Sequence, residues 1–156
     1  HLYAVAVRGS DVWIAGEQGL VMQLQGDRFA AVKTPYHGSY FGIEVRGSNV
    51  LAYGLRGNVY FSQNDGKDWQ QIQTGTEASL VSAWMDDSTA TLFSQEGQVF
   101  DVSLKSHTAQ LRPLKTGAEV YGVASVNGGK GLVVVGITGV KFMSTVADDA
   151  VTTTNK

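Results

Sequence analysis

Short apolar runs alternate with polar, glycine-bearing turns along the whole chain, and no stretch keeps apolar residues at a 3.6-residue spacing long enough to build a helix. The segment from Ser39 to Gly75 shows the pattern best. Tyr40–Arg46 reads as a strand, Gly47-Ser48-Asn49 as a turn, Val50–Gly54 as a second strand and Leu55-Arg56-Gly57 as its turn. Val59–Phe61 is then a third strand, Gln63–Lys67 a turn and Trp69–Gln73 a fourth strand. Branched and aromatic side chains fill the runs because they pack well on a pleated surface. Gly, Asn and Asp sit where the backbone must turn. With nineteen glycines and two prolines, the chain is rich in tight turns, and the pattern predicts an all-β protein of antiparallel hairpins.

The strands are organised by a repeat. Gly16-x-x-Gly19, Gly54-x-x-Gly57, Ser94-x-x-Gly97 and Gly136-x-x-Gly139 recur at steps of 38, 40 and 42 residues, each between two apolar runs. Arg8-Gly9-Ser10-Asp11-Val12 returns as Arg46-Gly47-Ser48-Asn49-Val50. A small residue holds one position of each leading run (Ala4, Gly42, Ser82, Gly122), and units close alike at Lys33-Thr34-Pro35, Gln73-Thr74-Gly75 and Lys115-Thr116-Gly117. A four-stranded unit returning about every forty residues marks a propeller blade. The fold class expected is therefore an all-β β-propeller of four-stranded antiparallel blades. About four blades fit this chain, a partial or half propeller: 1–35, 36–75, 76–117 and 118–150, in one segment 1–150, with 151–156 a frayed tail. In this reading the first strand of each blade lines the axis, and its small residue avoids the next blade. Trp13, Tyr53, Tyr60 and Trp69 fill the wider space farther out.

Composition narrows the functional classes. A net charge of −2 with both signs interspersed lacks the basic stripe of a nucleic-acid binder, and no apolar run is long enough for a membrane span. Without cysteine there are no disulfides or thiolate metal sites, which leaves the compartment open. His1, His37 and His107 are too scattered for a ligand set, so neither a metal nor a cofactor is expected. Four blades form an awkward arc whose end sheets would be bare. The chain also starts at His1 within a blade, so a piece of a longer protein, completed by further blades or by self-association, is expected.

Ser62-Gln63-Asn64-Asp65-Gly66-Lys67-Asp68-Trp69 matches the Asp-box (BNR) pattern S-x-D-x-G-x-T-W, with Asn64 at the usual Asp and Asp68 at the usual Thr. Its residue types build a hairpin turn. A short polar side chain caps N–H groups, Gly66 takes a left-handed backbone and Trp69 packs back on the sheet, so Ser62, Asn64, Gly66 and Trp69 are read as structural. Tyr121-Gly122-Val123 with Val133–Gly139, and the second unit from Phe41 through Tyr53-Gly54-Leu55-Arg56-Gly57 to Trp69, resemble the repeat of photosystem II assembly factor-like propellers. That resemblance implies a seven-bladed, non-enzymatic assembly or scaffold protein that binds other proteins and, in bacteria, is often exported to the periplasm or beyond.

The alternative is a fragment of an Asp-box glycoside hydrolase, similar to sialidases, whose catalytic residues lie outside this chain. Such a site needs three convergent arginines, but Arg8, Arg28 and Arg46 are expected at the end of the blades opposite Arg56. No acidic pair stands at matching inward positions, and Asp86-Asp87 and Asp148-Asp149 fall in turns. The candidate face for a protein partner comprises the second-to-third-strand turns and the blade connections, with Glu17, Gln18, Tyr36, His37, Arg56, Glu77, Glu96 and Glu119. Ordinary solvated turn residues are the alternative there.

Overall fold

In the computed structural model, which describes residues 1–115, 120–126 and 131–144, antiparallel hairpins follow one another from end to end. The first blade holds β1 (Leu2–Arg8), β2 (Asp11–Gly16), β3 (Val21–Gln25) and β4 (Arg28–Val32). The second holds β5 (Tyr40–Arg46), β6 (Asn49–Gly54), β7 (Val59–Ser62) and β8 (Gln70–Ile72), with a short 3-10 turn at Leu55–Gly57. The third holds β9 (Leu80–Met85), β10 (Thr89–Ser94), β11 (Gln98–Ser103) and β12 (Thr108–Lys115). In the fourth, β13 (Val120–Val126), β14 (Gly131–Gly136) and β15 (Gly139–Ser144) are described. Each blade is its own sheet with its strands in chain order. The fold is a β-propeller arc, and the leading strands β1, β5, β9 and β13 lie side by side in that order along its inner edge.

Period-two alternation explains how one blade serves two joints, because successive side chains leave opposite faces of the sheet. In β6, Val50 and Ala52 point into a cluster with Trp13, Ala15, Val21, Tyr40, Ile43 and Tyr60, between the first and second blades. Leu51 and Tyr53 point the other way, to Leu80, Ala83, Leu92 and Phe100 between the second and third. Phe93, Val99, Val120, Leu132 and Val134 fill the third joint. Trp13, Tyr53 and Tyr60 thus lie between sheets as expected, and Trp69 packs partly buried on the first joint.

The recurring small residue follows a β-bulge. In all four blades the pairing of the leading strand slips by one residue, at Tyr3, Phe41, Val81 and Tyr121, immediately before Ala4, Gly42, Ser82 and Gly122. The reason for its size differs from the one expected. Gly42 pairs with Tyr53, and a Cβ on Gly42 would land on the Tyr53 ring of the same blade, not on a neighbouring blade. Ser82 likewise lies across from Phe93, and Gly122 from Val135. In these three blades the small residue makes room for its own cross-strand partner, whereas Ala4 faces the small Ala15.

The fourth glycine pair also folds differently from its copies. In the first two blades a three-residue turn joins the strands, and Gly19 and Gly57 sit in its last position at φ 73° and 68°. In the fourth blade Gly136 pairs directly with Gly139, so the turn has only two residues and Gly139 opens β15. Identical spelling thus hides a turn one residue shorter.

Candidate functional site

At one end of the blades the second-to-third-strand turns meet the blade connections, and the repeated residues are what join them. The Gly19 N–H donates to Gly38 O at 2.6 Å, and the Thr34 hydroxyl donates to Gly19 O at 2.9 Å. The next unit repeats this, with the Thr74 hydroxyl on Gly57 O at 2.9 Å. Glycine is required at 19 and 57 on two counts. Both are left-handed, and a Cβ would strike the carbonyl oxygen of Tyr36 or of Thr76. The first glycine of each pair allows another close approach. Gly16 and Gly54 face the carbonyls of His1 and Ser39, which accept the N–H groups of Glu17 and Leu55 at 3.0 Å. Gln95 N–H donates to Ser79 O in the same way in the third blade. The glycine pairs and the closing threonines are therefore two halves of one lock.

The lock holds the turn tips out from the sheet. Gln18 and Arg56 are left-handed at φ 59° and 55°, and their side chains are exposed. His37, Glu77 and Glu96 are exposed as well, and among the described residues nothing pairs with the carboxylates of Glu77 and Glu96. Glu17 differs, since its carboxylate is engaged by the amino group of His1 and by His1 Nδ1 at 3.0 Å. Glu119 lies outside the described residues.

Tyr36 is less a free surface group than a tie between blades. Its hydroxyl donates to Leu55 O at 3.2 Å, and its ring stacks on Tyr60 at 5.6 Å and meets Tyr40 edge-on at 5.3 Å. Burial raises all three phenols, so the cluster is neutral. Sequence reading missed Tyr40 and Tyr60 as its members. The parity of β5 and β7 carries the signal, because Tyr60 lies opposite Ala52, and Ala52 opposite Ile43, on the face turned to the first blade.

The other end is held by ion pairs across the joints. Arg8 engages Asp11, reaches over to Gly47 O and pairs with Asp65 at 2.8 Å. Arg46, its copy in the next blade, reaches Asp87 of the third at 2.6 Å. The Ser62–Trp69 turn docks here. Ser62 Oγ accepts from Gly66 N at 2.9 Å, Asn64 Oδ1 accepts from Asp68 N at 2.9 Å and the Trp69 indole donates to Gly66 O at 3.0 Å. Gly66, at φ 73°, presses on Val32 and Trp13 of the first blade. Ser62, Asn64, Asp68 and Trp69 thus spend their polar side-chain groups on the shape of the turn, and Asp65 spends its carboxylate on Arg8.

Among the described residues no three arginines converge. Arg8, Arg28, Arg46 and Arg112 each face their own carboxylates, Arg112 being buried against Asp101, while Arg56 stands at the opposite end. A cleft of about 710 Å³ opens on the third blade, between Asp86, Thr91, Asp101 and Gln110. Both its acids are committed. Asp101 holds Arg112, and Asp86 caps the following turn through the N–H groups of Ser88 and Thr89 at 2.8 and 2.7 Å. Burial pushes the Asp86 carboxyl up, but those hydrogen bonds outweigh it and hold the group below its usual range. No cluster of three His, Asp or Glu gathers as a metal site among the described residues, and no helix is long and apolar enough to cross a membrane.

The fold places the chain among propeller proteins. No family model matches its sequence, and no curated protein does. Solved structures match closely in shape at low identity. The computationally designed Ika4 protein is 12% identical, with a TM-score of 0.74 over 92% of this chain and 91% of that one. The designed Ika8 protein, also 12% identical, gives 0.73 over 92% of this chain and 46% of that one. YCF48 bound to D1 peptide is 15% identical, with 0.61 over 92% and 53%. The chain thus spans about half the length of the latter two proteins.

Proposed function

We propose that this chain is a non-catalytic propeller module that binds a protein or peptide partner at the end carrying the locked turns, in an assembly or scaffolding role. The observation that carries the reading is a pair of exposed carboxylates, Glu77 beside the Thr74–Gly57 lock and Glu96 on the turn tied by Gln95 N–H to Ser79 O, neither of which has a partner among the described residues. A preorganised tip loses little entropy on binding, which suits recognition. Gln18, His37 and Arg56 extend the same surface, and the rim of the Tyr36 cluster adds apolar area. The resemblance of the repeat to photosystem II assembly factor-like propellers supports the same reading, as does the likeness in fold to YCF48, which was solved with a peptide bound. The excess of acids favours a partner surface of basic character.

The test is retention of proteins from an extract of the source organism on the immobilised chain. Glu77→Lys with Glu96→Lys should abolish capture, whereas Asp27→Lys with Gln63→Lys, on exposed turns at the opposite end, should not. Captured protein should also elute as salt rises, because exposed charges are screened within a Debye length. Equal capture by the two variants, with both folded by circular dichroism, would remove this face from consideration.

A further inference from the structure

The turn between the third and fourth strands has the same length in the second and third blades, so the two correspond residue for residue. Leu51 opposite Phe61 opposite Gln70 becomes Thr91 opposite Asp101 opposite Gln110, which carries Trp69 to Ala109 and Lys67 to His107. At the first joint the Trp69 indole packs on the cluster between the blades and donates to Gly66 O at 3.0 Å. At the second joint Ala109 stands in that place, and only its methyl packs on the cluster. The second joint is short of one indole.

His107 makes up part of the loss. It takes a left-handed backbone at φ 56°, and its imidazole lies against Phe61 of the second blade at 5.7 Å between ring centres. Beside the two rings a cavity of about 210 Å³ remains, bounded also by Gln63, Asn64, Asp68 and Gln70. A cavity of roughly 150 Å³ admits benzene, so this volume suits a bicyclic ring. His107, one of its walls, buries Nε2 without a hydrogen-bond partner among the described residues. Buried polar atoms ordinarily find one, and water does not reach this nitrogen. Gln63 and Gln70 flank the cavity, and both are exposed. No side-chain hydrogen bond ties either of them among the described residues, so they are free to turn aside for an entering ring.

We propose that this cavity binds an indole-like aromatic ring, which restores at the second joint what Trp69 supplies at the first and donates its N–H to His107 Nε2. A neutral imidazole that carries its proton on Nδ1 accepts at Nε2. Burial of the ring's apolar faces against Phe61 and His107 drives entry. The site lies beside the Ser62–Trp69 turn, at the end of the blades opposite Glu77 and Glu96, and is independent of partner binding at those residues.

Indole titrated into the 156-residue chain at pH 8 should shift the ring proton resonances of one imidazole saturably, with a midpoint on the order of 1 mM. His107→Phe identifies that imidazole by the loss of its signals. 1-Methylindole, which has no donor, should bind at least about tenfold more weakly. His107→Phe keeps a ring but loses the nitrogen, so it should weaken indole by the same factor and leave 1-methylindole unchanged, as read by saturation transfer to the ligand protons. Ala109→Trp should exclude indole, because its own ring takes the space, and circular dichroism checks that both variants fold. Glu77→Lys with Glu96→Lys should bind indole as the parent chain does, which separates this site from the face that carries them. N-acetyltryptophanamide binding as tightly as indole would mark the ring as a partner's side chain, and binding at least about tenfold weaker a free small molecule. The proposal would be overturned by an imidazole of His107 that does not respond, or by equal binding of indole and 1-methylindole. A folded Ala109→Trp that still takes up indole at the parent midpoint would overturn it as well, as would loss of indole binding in Glu77→Lys with Glu96→Lys.

Discussion

Glu44→Gln should stabilise this protein, and only above the acid range. Glu44 lies on β5, between the leading strands of its neighbours, opposite the fully buried Leu51 and close to the buried Tyr53. Among the described residues no hydrogen bond or ion pair reaches its carboxylate. Burial therefore pushes the carboxyl up from 4.5 to about 7. Below the unfolded value both states hold the proton and the residue is neutral to stability. As pH rises from 4.5 to about 7, the unfolded chain gives up its proton while the folded one keeps it, so stability falls across that window. The full loss, present above the folded value, corresponds to roughly 3 kcal/mol at 1.36 kcal/mol per unit. Glutamine keeps the shape without the charge, and leaving its amide partly unpaired returns about 1 kcal/mol of that. The expected change is thus a gain of about 2 kcal/mol at pH 8 and a loss of about 1 kcal/mol at pH 4, where the wild-type carboxyl is neutral and only the unpaired amide counts. Urea titrations of both proteins at pH 4, 6 and 8, followed by tryptophan fluorescence, measure it. A difference between the proteins that does not change with pH, or a variant weaker than wild type at pH 8, would refute the burial assigned to Glu44.

Three further substitutions probe the repeat. Gly57→Ala should cost at least about 2 kcal/mol more than Gly47→Ala, because both are left-handed but only position 57 sets a Cβ against a backbone carbonyl; equal urea midpoints would undo the lock at Thr76. Thr74→Val should lower stability by about 1 kcal/mol through the lost bond to Gly57 O, and an unchanged midpoint would show the hydroxyl to be idle. Trp69→Ala should cost about 3 kcal/mol, since the indole both packs on the first joint and ties Gly66; a melting temperature equal to wild type would place Trp69 outside the packing.

The strands of the second unit were nearly all legible, with Tyr40–Arg46 matching β5 residue for residue and the others differing by one or two at an end. Local chemistry suffices there. Alternation sets the strands, and glycine with asparagine or aspartate sets the turns, within a few residues of one another. The spacing of the glycine pairs likewise announced the blades. Which groups those repeats touch was not legible. Thr34 and Gly19 stand fifteen residues apart, and only the closing of the sheet puts one hydroxyl on the other carbonyl. The face residues show the same limit. Glu17 and Glu77 look alike in sequence, yet the imidazole of His1 meets the first at 3.0 Å and leaves the second free among the described residues. Tyr36 read as a surface group, but stacking on Tyr60 makes it part of a joint.

The sequence by itself determined the all-β class, the forty-residue blade and the turn chemistry, because these rest on period-two patterning and on backbone preferences that act locally. Tertiary structure decided the rest. It placed the bulge before Ala4, Gly42, Ser82 and Gly122, and it shortened the fourth turn although Gly136-x-x-Gly139 is spelled like its copies. The physical reason is the same in each case. A side chain's burial depends on the sheet stacked against its face, and that sheet is contributed by residues about forty positions away.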